Sequence, residues 1–317
     1  MRKKAIIMGT GGKAVHVFYT CYRNRPEFEV VGFTSLEVTD EAMAFGSGMT
    51  GPLYPHGIPI WPERRLCELV RQARVREVVF ARTQVSFDDL NRWEQTIVFE
   101  ADCEFQFAQV ERCMLPVTKA AIAVCGTASG CGKTRVAREL AQIWQAQGKR
   151  VALCRYPTAD RAVLERPWQQ CVVDESSASA ESAGHSGIPI VVYSGGDWGE
   201  ILKEAQANAD LLIWDGGSND IPFIAPNLHI TVIDALNDGL AELYPGYVNL
   251  ELCQAVLLNR AERATADRIA PIAAVVKRIN PEVRVFQSLA DLCVSDWYQT
   301  FAKTCLERMS RGGHRQN

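Results

Sequence analysis

Short apolar runs alternate with amphipathic stretches along nearly the whole chain. In the first third, residues 4–8, 28–34, 76–81 and 103–107 read as strands, with helical patterns over 62–72 and 86–99. Pro62 suits a first helical turn, and Ser86 followed by Asp88 and Asp89 makes a good helix start. Strands alternating with helices predict a parallel sheet covered on both faces. The pattern breaks around Cys113-Met-Leu-Pro-Val-Thr118, and a new series opens at Lys119. Its strands are predicted at the run ending in Gly126, then over 150–156, 189–193, 209–214, 229–234, 255–259 and 283–286. Several are apolar almost throughout, as expected of strands buried on both faces. The chain therefore reads as α/β: an N-terminal Rossmann-like parallel-sheet domain (residues 1–115), a second α/β domain (119–305) and a basic tail (306–317).

The chemistry concentrates between Ala121 and Thr134. An apolar run reaches Gly126, a glycine-rich turn passes through Ser129, Gly130 and Cys131, and the turn closes on Gly132-Lys133-Thr134 before an amphipathic stretch beginning at Arg135. Strand, loop and helix in that order are what a phosphate-binding P-loop requires. Its backbone N–H groups wrap the β- and γ-phosphates, and the free N–H groups of the helix start add positive potential. Lys133 neutralises phosphate oxygens, and the Thr134 hydroxyl ligates Mg²⁺. Five residues rather than four separate Gly126 from Gly132, and Thr127 takes the usual first-glycine position. This variant resembles dethiobiotin synthetase and its relatives.

Such a loop needs a second acid, usually at the end of a neighbouring strand. Leu211-Leu-Ile-Trp-Asp215-Gly216-Gly217 supplies one: four apolar residues deliver Asp215 to a strand edge as a Mg²⁺ or water-positioning carboxylate. Gly216 and Gly217 let the backbone turn close to a γ-phosphate. Asn259-Arg-Ala-Glu262 loosely matches the guanine-reading N-K-x-D pattern, with Asn259 and Glu262 as purine contacts. The expected cofactors are ATP or GTP with Mg²⁺.

Composition narrows the classes. Among 317 residues, 47% are hydrophobic and 22% charged, and the net charge of −3 gives no global basic field for nucleic acid. No apolar stretch is long enough to span a bilayer, and the N-terminus has no secretory pattern. Eleven cysteines without a Cys-x-x-Cys pair argue against zinc and disulfides and for a reducing, cytoplasmic setting. Cys125 and Cys131 are expected to pack beneath the loop as small residues, though their position could make them oxidation-sensitive. Gly9-Thr-Gly11-Gly12 is an incomplete dinucleotide fingerprint, with Ala14 in place of its third glycine. Lys13 and His16 there are candidate partners of an anion. Residues 174–187, small, polar and aperiodic, predict a mobile loop on the nucleotide side.

Taken together, Gly9–His16, Gly51–Ile60, Val124–Thr134, Trp214–Phe223, Asn227–Ile230 and Tyr244–Leu250 resemble the cyclic 2,3-diphosphoglycerate synthetase family over residues 4 to about 288. The resemblance implies a Rossmann-like domain fused to a P-loop NTPase domain of the dethiobiotin synthetase and metallochaperone GTPase kind. It also implies ATP- and Mg²⁺-dependent activation of a small phosphorylated or carboxylated acid, and a homodimer. Around His16 and over Tyr156–Asp160 the chain departs from that family, so the acceptor pocket is expected to be rebuilt, with Arg155 or Lys13 as anion partners. The expectation is an NTP-dependent kinase, cyclase or ligase acting on a small anionic metabolite, with no nucleic-acid or membrane partner. The alternatives are a regulatory GTPase or metallochaperone-like NTPase acting on a protein partner and, on the Gly9 turn alone, a nicotinamide-dependent oxidoreductase.

Overall fold

The computed structural model describes residues 2–39, 43–83, 85–108, 110–156, 169–173, 189–216, 220–237 and 243–312. They fall into two compact units, the first built on Met1–Leu115 with Gly195–Glu200, and the second on Pro116–Tyr156, Gln169–Ser194 and the chain from Ile201.

In the first unit the chain runs β1 (Lys3–Met8), α1 (Gly12–Cys21), β2 (Phe28–Ser35), β3 (Ala44–Phe45), α2 (Ser47–Thr50), β4 (Ile58–Pro62), α3 (Leu66–Ala73) and β5 (Glu77–Phe80). It continues through the short β6 (Val85–Ser86), α4 (Phe87–Gln95), β7 (Glu104–Phe107) and α5 (Val110–Cys113). Six strands form a sheet in the order β3-β4-β2-β1-β5-β7, parallel except for β3. The predicted strands hold to within two residues at each end. The Ser86 hydroxyl caps α4, accepting from Asp89 N at 3.1 Å. Pro62 does not open a helix: it ends β4, a 3₁₀ turn over Glu63–Arg65 follows, and α3 begins at Leu66. β4 itself was not expected, because its Pro-interrupted Ile-Pro-Ile-Trp-Pro reads as loop.

The second unit runs β8 (Ala120–Gly126), α6 (Lys133–Ala146), β9 (Val151–Arg155), β10 (Gln169–Val173), β11 (Ile190–Ser194), α7 (Trp198–Asn208), β12 (Leu211–Asp215) and β13 (Leu228–Asp234). There follow β14 (Leu243–Tyr244), α8 (Gly246–Leu252), β15 (Ala255–Asn259), α9 (Ala266–Ile279), β16 (Arg284–Phe286), α10 (Leu289–Val294) and α11 (Asp296–Gly312). Its sheet has the order β10-β11-β9-β12-β8-β13-β15-β16, parallel except for β10. β8 is buried along its whole length. On one face Ile122, Val124, Leu140 and Trp144 pack with residues of α10 and α11, and Trp144 Nε1 donates to the Tyr298 hydroxyl at 3.0 Å. On the other, Leu250, Ile272 and Val276 cover Ile233 and Val256. α11 continues through Gly312, over part of the stretch expected to be a tail; the 174–187 segment lies outside the described residues.

Two buried histidines give the fold a pH dependence. His229 on β13 is 2% exposed, its Nε2 has no hydrogen-bond partner among the described residues, and burial pulls its pKa down to about 3. Burial likewise brings His16 to about 4, against a hydrogen bond to the Cys113 carbonyl. Between these values and 6.5 the unfolded chain binds protons that the native chain does not, so stability falls as pH drops. The loss is about 1 kcal/mol per pH unit for each histidine. Urea midpoints should fall steadily from pH 7 to pH 5, and His229→Leu should flatten that slope. A midpoint indifferent to pH in the parent chain would contradict the burial.

Candidate functional site

The glycine-rich loop between β8 and α6 is shaped by positions that refuse a side chain. Gly130 and Gly132 have φ of +75° and +100°, which L residues rarely adopt. A Cβ on Gly126 would collide with Cys131 Sγ and stand 2.8 Å from Lys133 Cδ. A Cβ on Gly132 would strike the Asn259 amide.

Four carbonyls of this segment are taken up by side chains. Gly126 O accepts from Asn249 Nδ2 at 3.4 Å, and Ala128 O from Lys133 Nζ at 3.0 Å. Gly130 O accepts from Arg260 Nη2 at 3.1 Å, and Cys131 O from Asn259 Nδ2 at 2.9 Å. With these acceptors engaged, the loop has mainly N–H groups to offer a ligand, and the first turn of α6 adds donors without helical acceptors. Such a surface takes an anion.

Thr134 and Asp215 meet beside the loop. β12 lies between β8 and β9, and its register sets Asp215 against Val124 on one side and Arg155 on the other. The Thr134 hydroxyl donates to Asp215 Oδ1 at 3.1 Å. Asp215 is fully buried; its Oδ2 lacks a hydrogen-bond partner among the described residues and lies 3.7 Å from Arg155 Nε. Burial pushes this carboxyl above its ordinary range, against the pull of Arg155, the Thr134 hydroxyl and Lys133. A hydroxyl and an under-satisfied carboxylate oxygen side by side are hard donors that fit Mg²⁺. Thr134 and Asp215 would hold it, and the ion would screen phosphate charge. Among the described residues no cluster of three His, Cys, Asp or Glu forms a metal site of its own.

The structure thus brings together Gly126, Gly130, Cys131, Gly132, Lys133, Thr134, Asp215 and Asn259. Gly216 follows directly: its N–H donates to Val124 O at 2.9 Å, and a Cβ there would stand 3.0 Å from that same oxygen. Ser129 and Arg135 are exposed, and Arg135 pairs with Glu139 at 2.8 Å. Glu262 is exposed on a one-turn 3₁₀ helix, Ala261–Arg263. Gly217 lies outside the described residues. Arg260, in a left-handed conformation (φ 61°), also pairs with Asp234 at 2.8 Å.

Two contributors escaped the sequence reading. Asn249 bridges Gly126 O and Asp220 O, both at 3.4 Å, so it ties the phosphate loop to the segment after Asp215. Gly246 opens α8 against Thr127, whose carbonyl a Cβ would approach to 2.5 Å. Only the unusual Tyr-Pro-Gly-Tyr-Val-Asn run hinted at them. In the first unit, His16 bonds the Cys113 carbonyl and is held neutral, so it serves the packing of α1 rather than pairing with an anion as a cation.

No family model matches the chain. A curated relative, the arginine synthetase ArcE of Thermococcus kodakarensis, is 30% identical over 306 residues, covering 92% of this chain and 67% of the relative. Among solved structures, hydrogenase maturation factor HypB of Archaeoglobus fulgidus aligns over 59% of this chain and 89% of its own, at 14% identity and TM-score 0.35. LpxK of Aquifex aeolicus, in complex with ATP, aligns over 55% and 56%, at 16% identity and TM-score 0.34. A DUF1611 family protein of Anabaena variabilis aligns over 96% and 99%, at 11% identity and TM-score 0.32.

Because the native state holds a proton on Asp215 more tightly than the unfolded chain does, the ionised carboxylate costs stability above its raised pKa and is relieved as pH falls through it. Asp215→Asn should raise the melting temperature of the ligand-free chain at pH 7.5 by about 2–6 °C. It should also remove the added stabilisation given by Mg²⁺ with ATP or GTP. Differential scanning calorimetry checks both. A variant that melts lower and still gains from Mg²⁺-nucleotide would overturn this reading of the carboxylate.

Proposed function

The chain belongs to the family of the Thermococcus arginine synthetase, and from that premise we propose that it is a Mg²⁺- and nucleotide-dependent synthetase that activates a small carboxylated metabolite. One observation carries the reading: Lys133, Thr134 and the buried Asp215 converge on a loop whose carbonyls are turned to other partners. That arrangement suits positioning and charge neutralisation of a transferring γ-phosphoryl group, in which the protein supplies little covalent chemistry.

Lys133 is 7% exposed and donates to Ala128 O within its own loop. With a nucleotide bound, the Lys133 ammonium would neutralise phosphate oxygens, and Thr134 with Asp215 would hold a Mg²⁺ ion that adds to that neutralisation. ATP and GTP are both candidates. The acceptor would be an amino-acid-type molecule; the relative's name makes arginine the expected product, so its ureido and carboxylate analogues are the first acceptors to test. Arg155, at the end of β9 with its side chain 37% exposed, would meet the acceptor's carboxylate.

The test is nucleotide turnover by the full chain with Mg²⁺ and ATP or GTP, in the presence and absence of those analogues. ADP or GDP release that depends on the small molecule supports the reading, and Lys133→Ala should lower it roughly 100-fold or more. Turnover unaltered in Lys133→Ala would overturn the reading, and hydrolysis stimulated only by a protein partner would set it aside for a regulatory NTPase.

A further inference from the structure

The sequence singled out Cys125 and Cys131 as the thiols nearest the nucleotide chemistry, but both are buried, and burial pushes the Cys125 thiol well up. Burial also raises Cys154, Cys253, Cys103 and Cys293. A raised thiol is a poor nucleophile at neutral pH.

A different pair stands out in the first unit. Cys21 is the last residue of α1 and Cys113 the last of α5, and the two helices pack together. Both cysteines are half-buried, and each thiol is the strongest single influence on the other's ionisation. The Thr20 hydroxyl lies 3.5 Å from Cys21 Sγ. Cys21 lines an open cleft of about 530 Å³ together with Thr20, Arg25, Gln106 and Arg112. The Cys113 thiol, the Thr20 hydroxyl and the two guanidiniums all favour the Cys21 thiolate, enough to outweigh burial, so its pKa is drawn down to about 6. The dipole at the end of α1, negative there, acts the other way. Of the described cysteines with a shifted thiol, Cys21 alone moves down.

We propose that Cys21 and Cys113 form a redox-active thiol pair, a modification site for small peroxides that enter the cleft. Cys21 thiolate attacks one oxygen of hydrogen peroxide, the O–O bond breaks, and hydroxide leaves and is protonated to water, giving the Cys21 sulfenic acid. Cys113 sulfur then attacks the Cys21 sulfur; the S–O bond breaks, a second water leaves with the Cys113 proton, and an S–S bond forms. The thiols together lose two electrons and two protons, and the peroxide becomes two waters. The Cys113 carbonyl is already bonded to His16 on α1, so the bridge reinforces an existing contact between the helices.

Peptide mapping of the full reduced chain after brief treatment with about one equivalent of hydrogen peroxide tests this. The expected product is a Cys21–Cys113 linked peptide lighter by two hydrogens and restored by dithiothreitol. Cys113→Ser should instead leave a dimedone-reactive sulfenic acid on Cys21, and Cys21→Ser should leave Cys113 unoxidised at the same dose. At pH 6.5, iodoacetamide should label Cys21 about tenfold faster than the other cysteines of the native chain. Oxidation that starts at another cysteine, or Cys113 oxidised as readily in Cys21→Ser, overturns the proposal, as does Cys21 passing to sulfinic acid with Cys113 intact.

Discussion

A carboxylate removed from water governs the second unit. Asp215 is fully buried at the end of an apolar strand, and an ionised group in that position is costly unless a cation meets it. The Thr134 hydroxyl and Arg155 offset part of that cost, yet the carboxyl still titrates above its ordinary range. A structural ion pair would have been closed more tightly than 3.7 Å and would have satisfied both oxygens. On the proposed reading a hard cation would complete the site, with stability given up in the free protein in exchange for affinity in the bound one. The sheet makes this possible: β12 sits directly beside β8, so the acid and the helix-start threonine arrive at the same edge.

Around that acid the phosphate loop is held from several sides. Asn249 comes from α8, Asn259 from the end of β15 and Arg260 from the residue after it, while Lys133 folds back from α6. Each donates to a loop carbonyl. A loop of small residues with two left-handed glycines has a large conformational entropy to lose, and these donors restrain it before any ligand arrives. The Asn259 amide leans over Gly132 so closely that no side chain fits there. The residue read from the chain as a purine contact buttresses the glycine-rich loop in this structure.

The local parts of this arrangement were legible in the sequence. β8, β12, β13 and β15 are apolar runs bounded by glycine, proline or polar residues, and a run buried on both faces needs no partner to be recognised. The glycine spacing and Gly-Lys-Thr marked the loop for the same reason. What escaped were interactions between distant residues. Asn249 reaches Gly126 across 123 positions and Asn259 reaches Cys131 across 128, and no periodicity encodes such pairs. β4 was hidden by its prolines, and Pro62 obeyed the strand it ends rather than the helix it resembles. β10 is a short edge strand whose place is set by β11, its antiparallel partner.

The stretches 214–223 and 244–250, read from the sequence beside the glycine-rich loop, help set that loop against its acid. Gly246 must lack a side chain because Thr127 O lies against it, and Asn249 must be an amide because one Nδ2 serves both Gly126 O and Asp220 O. Aspartate at position 249 could not donate to either carbonyl, and alanine would leave two buried acceptors without that donor. Each restricts where the loop and Asp215 can stand relative to one another. The setting of the loop against its acid rests on residues that a motif alone would pass over.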